Sequence, residues 1–126
     1  MKHRYLIPLA EAGDGPPMFI VPSAGATFFS FVTLARTLST PGPVYSCSLT
    51  ELEVSESKHP TLEDIAEVLL GELRGAQPKG PYYLGGHCWG GVVALEMASR
   101  LEAAGEEVKG VFLLESFVPV AAGGQE

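Results

Sequence analysis

The sequence predicts an α/β protein, a mostly parallel sheet with helices on both faces. Strand-like and helix-like stretches alternate along the chain, and the links between them are short. Residues 18–22 (MFIVP) form a compact apolar run, as expected of a strand buried on both sides. At 126 residues the chain makes at most one domain.

Residues 5–9 are a short edge-strand candidate, followed by a turn-rich link through Gly13, Asp14, Gly15, Pro16 and Pro17. After the buried strand at 18–22, Ser23, Ala24, Gly25 and Ala26 make a small-residue turn. Phe28, Phe29, Phe31, Val32, Leu34, Ala35 and Leu38 then recur at helical spacing. Pro41, Gly42 and Pro43 close that helix, and residues 44–49 (VYSCSL) read as the next strand. The polar stretch 50–59, with Glu51, Glu53 and Glu56, reads as a surface loop.

Thr61 opens a helix, with Asp64 placed for a capping box. Leu62, Ile65, Ala66, Leu69, Leu70 and Leu73 then form one clean apolar stripe. Residues 75–81 break it, and Tyr82-Tyr83-Leu84-Gly85-Gly86 begins a strand. A second helix is predicted from about Gly90 to Ala104, its core face Val93, Leu95, Met97, Ala98 and Leu101, with Gly105 at the C-cap. Residues 108–115 (VKGVFLLE) are the last strand, and Ala121-Ala122-Gly123-Gly124 reads as a loose end.

Composition narrows the function. Apolar residues make up 46% and charged residues 18%, enough for a core and against intrinsic disorder. Eight Lys+Arg against fifteen Asp+Glu give a net charge of −7 without a basic cluster, which argues against a nucleic-acid surface. No apolar run reaches the roughly 18–20 residues of a membrane-spanning helix, and the first residues lack the apolar stretch of a secretion signal. Two cysteines, Cys47 and Cys88, are too few for a disulfide framework and suggest no zinc site, so the expected setting is reducing and cytoplasmic.

The chemistry centres on Gly86-His87-Cys88-Trp89-Gly90, a G-x-C-x-G pattern between a strand and a helix. This is the nucleophile-elbow pattern with a thiol where serine is common. A sharp strand-to-helix turn crowds the backbone around its apex, so the flanking positions need glycine. The turn sets Cys88 at a helix N-terminus, where the dipole and unbonded N–H groups favour thiolate. The Trp89 amide is then placed to donate to a developing oxyanion. A plain glycine-rich turn around a buried cysteine is the competing interpretation, and exposure of Cys88 decides between the two. Cys47, mid-strand in VYSCSL, reads as core.

The segment QPKGPYYLGG (residues 77–86), the elbow, and Ala94-Leu95-Glu96-Met97-Ala98 with Leu101 and Gly105 resemble the thioesterase domains of nonribosomal peptide and polyketide synthases and their stand-alone relatives. MFIVPSAGATFFSF and TLEDIAEVLL match more weakly, and together these segments cover most of the chain. The resemblance implies a partial α/β-hydrolase fold that lacks the lid and the C-terminal strands, with residues 1–126 as the N-terminal part of the domain. It implies a second oxyanion amide from the loop after the early strand, at Ala24 or one residue to either side; an ordinary glycine turn fits those residues equally well. It also implies that Glu115 holds the acid position usually filled by Asp; a strand-end carboxylate pointing to solvent is the competing interpretation.

Two departures stand out. The nucleophile is Cys, and no residue after Glu115 is a histidine, although the triad order of this fold is nucleophile, acid, histidine. His3 lies in the N-terminal segment and His59 in a loop. His87 is expected to point away from the turn and to shape the pocket. The base is therefore expected from outside the chain, and the edge of the last strand is expected to pair with the remainder of the domain. The implied reaction is release of an acyl, peptidyl or polyketide chain from a carrier protein, by hydrolysis or cyclisation, through a Cys88 acyl-enzyme. No cofactor is expected beyond the carrier's phosphopantetheine arm. A dienelactone-hydrolase-like cysteine hydrolase of small lactones, and a non-catalytic remnant that binds a carrier or partner, remain as alternatives.

Overall fold

The computed structural model describes residues 6–10, 13–22, 35, 42–47 and 61–115. The elements in chain order are β1 (Leu6–Ala10), β2 (Met18–Val21), β3 (Val44–Cys47), α1 (Leu62–Ala76), β4 (Tyr82–His87), α2 (Trp89–Ala103) and β5 (Val108–Leu114). The strands form one five-stranded sheet in the order β1-β3-β2-β4-β5. All pairings are parallel except β1 with β3, so the sheet is mixed with an antiparallel edge.

The larger core lies on one face of the sheet. Phe19, Val21, Cys47, Tyr82 and Leu84 meet Ile65, Leu69 and Leu73 of α1 and Val93, Met97 and Leu101 of α2. The opposite face carries Ile20, Val44 and Phe112 against Ala35, which is helical. The remainder of the helix expected over 28–38 lies outside the described residues, as do the turn at 23–26, the loop at 50–59 and the chain after Glu115.

Helix α1 forms as its sequence demands. The Thr61 hydroxyl accepts from the Asp64 amide at 3.0 Å and the Asp64 carboxylate accepts from the Thr61 amide at 3.0 Å. Ile65, Ala66, Leu69, Leu70 and Leu73 are buried as one stripe. From its last half Glu72 reaches across to β1, where its carboxylate accepts from the Leu6 N–H at 2.7 Å.

Several boundaries differ from the sequence reading; β2 ends at Val21 and β5 at Leu114, each one residue short of the expected end. Strand β1 includes Ala10, one residue past the expected end, because its pairing with β3 skips a residue between Pro8 and Ala10, which lies opposite Val44. Helix α2 starts at Trp89, and its cap is Ala104. Gly105, with φ of 87°, is one residue past the cap; its N–H bonds to Glu102 O, and the Glu106 N–H bonds to Leu101 O. That is a Schellman stop. The buried face of α2 is also wider than the predicted stripe: Val92 and Ala94 are buried and Leu95 is only half-buried, since this helix packs on the sheet and on α1 at once.

The strand order has a functional corollary. The chain leaves β2 toward β3 on one side and leaves β4 toward β5 on the other, so the connections diverge between β2 and β4. Crevices at such switch points, beyond the carboxyl ends of the strands, are where open α/β sheets bind ligands.

The capping carboxylate gives an acid-pH signature. Hydrogen bonds from the Thr61 backbone and hydroxyl hold Asp64 below the ordinary 3.8. A depressed native value means the contribution is complete above 3.8 and disappears as pH falls through the lowered value. Unfolding titrations of wild type and Asp64→Asn should therefore differ at neutral pH and converge in strong acid.

Candidate active site

The site stands at the carboxyl end of β4, beside the switch point. Cys88 is the residue between β4 and α2, with φ of 57° and ψ of −124°. A non-glycine residue with positive φ is costly, of order 1–3 kcal/mol, and persists only where its surroundings enforce it. The enforcing contacts are steric. A Cβ on Gly90 would stand 2.3 Å from the carbonyl oxygens of both Val21 and Pro22. A Cβ on Gly86 would stand 2.3 Å from the Gly90 carbonyl oxygen. With both positions bare, α2 begins directly over the ends of β2 and β4, and the strained turn directs its side chain outward.

Cys88 is exposed, which excludes the buried-cysteine interpretation. Its side chain makes no capping hydrogen bond to α2, and its carbonyl accepts from the Gly91 N–H at 3.0 Å. Trp89 is the first helical residue and its half-buried ring packs against the main core. Its amide is the first of the helix, with no residue four positions back in the helix to accept from it, and stands at the helix end where anions bind. The sulfur and the Trp89 amide are thus neighbours at one helix terminus.

Glu115 follows β5, which lies parallel to β4 with His87 opposite Leu114. The Cys88 N–H donates to the Leu114 carbonyl at 2.9 Å, which ties the backbone of Cys88 to the residue before Glu115. The strand ends at Leu114, and Glu115 has φ of 50°. Cys88 and Glu115 are the two non-glycine residues with positive φ among those described. Both lie at the same end of adjacent strands.

His87 differs from expectation. Its Nε2 sits 3.1 Å from Oε1 of Glu115. The sequence reading had it point away from the turn and shape the pocket. The left-handed turn at Glu115 brings the carboxylate back over the end of β4. His3, His59 and the Ala24 loop lie outside the described residues.

Cys47 is the expected contrast. It is fully buried, and burial, with the charge of Glu72 adding to it, pushes its thiol far above the usual range. Among the described residues no group of three His, Cys, Asp or Glu side chains could hold a metal ion, and no helix is long and apolar enough to cross a membrane.

A strained cysteine between two glycines, above a mostly parallel sheet and below a helix N-terminus, defines an elbow-type α/β-hydrolase architecture. The thioesterase-domain family profile matches residues 16–125, and the chain belongs to this family, of the kind found in nonribosomal peptide and polyketide synthases. It is 40% identical over 111 residues to a probable non-canonical nonribosomal peptide synthetase, CymA, of Salinispora arenicola, covering 88% of this chain and 1% of that protein. It is 36% identical over 112 residues to a dimodular nonribosomal peptide synthase of Bacillus subtilis, covering 89% of this chain and 5% of that protein. Among solved structures, the NocB thioesterase domain from the nocardicin cluster superposes with a TM-score of 0.79 at 32% identity, over 89% of this chain and 50% of that one. The chain thus spans a small part of these synthetases and half of that thioesterase domain.

The two thiols should separate by reactivity. Iodoacetamide at neutral pH should label Cys88 at least about tenfold faster than Cys47, because only the thiolate reacts and only Cys88 is accessible; mass mapping of both sites checks this. Gly90→Ala should destabilise the fold by about 2 kcal/mol or more, since the neighbours it meets are backbone and cannot give way. Denaturant unfolding measures that loss.

Proposed function

We propose that this chain is the N-terminal part of a thioesterase domain that releases an acyl, peptidyl or polyketide chain from a carrier protein through a Cys88 acyl-enzyme. The observation that carries the proposal is the exposed Cys88 sulfur on a strained turn at the start of α2. A carrier protein presents the thioester on its phosphopantetheine arm. The Cys88 thiolate adds to the carbonyl carbon, and the tetrahedral oxyanion takes hydrogen bonds from the Trp89 and Ala24 amides. The carbon–sulfur bond to the arm then breaks, the arm leaves as a thiol with a proton from the base, and the acyl group remains on Cys88.

The base is a histidine supplied by residues outside this chain and oriented by the Glu115 carboxylate. It next takes a proton from water, or from an amine or hydroxyl of the acyl chain itself. That oxygen or nitrogen attacks the acyl-enzyme, and the product leaves as an acid or as a ring. No cofactor of the domain's own takes part. The setting is cytoplasmic, where a reactive thiol stays reduced.

The sulfur shapes the outcome. Transfer from one thioester to another is nearly isoenergetic, whereas transfer to serine gives a more stable ester. A cysteine acyl-enzyme keeps more driving force for aminolysis or for closing a strained ring. Lactam or lactone formation is therefore the proposed release step.

Cys88→Ala should lower release by about 10³-fold or more and abolish the covalent intermediate, as removal of a nucleophile does elsewhere. Intact-protein mass spectrometry of the complete domain with an acyl-loaded carrier would show the adduct on wild type. An adduct that persists in Cys88→Ala would overturn the assignment. Cys88→Ser should still acylate but should lower the cyclised fraction of product.

A further inference from the structure

We infer that His87 is a positioning residue for the Glu115 carboxylate, holding one of its oxygens so that the other faces the catalytic imidazole. The inference rests on the assignment of Cys88 and Glu115 above and adds a residue to it. The contact joins Nε2 of His87 to Oε1 of Glu115 at 3.1 Å. A carboxylate only accepts, so the proton of this contact lies on Nε2. Each carboxylate oxygen can accept independently, so Oε2 remains for a second donor.

Glutamate is a poor positioner on its own. It has one more rotatable bond than aspartate, and its side chain is 87% exposed, so the described residues leave it several rotamers. An exposed ion pair contributes little to stability, yet it can still select one rotamer out of several. The backbone prepares the selection: φ of 50° at Glu115 returns the carboxylate toward β4. His87 is 36% exposed, the more confined partner, and is fixed at its base by the pairing of β4 with β5. The Cys88 N–H to Leu114 carbonyl bond sets both partners in one frame with the nucleophile.

The test is a double-mutant cycle in the complete domain, with steady-state release of an acyl group from a small-molecule thioester. His87→Leu should lower kcat by about fivefold with KM unchanged, the size expected for an exposed charge-assisted contact. His87→Gln, which keeps an N–H donor, should recover most of that loss. In a Glu115→Asp background, whose shorter side chain falls short of the imidazole, His87→Leu should have little further effect. A kcat within twofold of wild type for His87→Leu, equal losses for Leu and Gln, or additive losses in the cycle would each overturn the inference. If His87→Leu fails to fold, the deciding measurement is His87→Gln made in the wild-type and the Glu115→Asp backgrounds, with the same criterion of coupling. Loss of activity in Cys88→Ala and Glu115→Gln alongside neutral His87 variants would remove His87 alone. Full activity in those two would remove the underlying assignment instead.

Discussion

The close approach of α2 to the end of β2 governs the site. At Gly90 the space that any side chain would fill is already taken by two backbone carbonyls. Backbone cannot rotate away as a side chain can, so the constraint is rigid. It brings the first turn of the helix onto the sheet, leaves one residue in which the chain must change direction, and makes that residue adopt positive φ. That residue is Cys88, with φ of 57°, and its side chain is exposed.

A second constraint runs sideways. Parallel pairing of β4 with β5 brings their carboxyl ends level, so residues remote in sequence become neighbours without any long loop. Helix α2 makes this possible by running back along the sheet and ending in a Schellman turn that feeds β5. The site is therefore assembled from one strand–helix–strand unit, Tyr82 to Glu115, placed against the end of β2. The connections diverge beside it, between β2 and β4, the kind of place where open α/β sheets bind ligands.

Features that depend on local pattern were legible in the residues. The capping box at Thr61 and Asp64 and the apolar stripe of α1 follow from residues within a few positions of each other; the burial of Cys47 and the elbow glycines were legible as pattern, although the contact that requires Gly90 comes from β2. Features that depend on two elements at once were less so. The stripe of α2 was drawn through Leu95, whereas the helix touches both sheet and α1 and buries Val92 and Ala94 as well. The direction of His87 was missed because it depends on a left-handed glutamate, and nothing local to a glutamate calls for that conformation. The signal that could have revealed it was registration: parallel pairing of β4 with β5 places position 87 opposite 114, next to Glu115.

The bond between the Cys88 amide and the Leu114 carbonyl also has a mechanical meaning. It makes the backbones of Cys88 and Leu114 passengers on a single two-stranded ribbon, so a twist of the sheet carries both turns together.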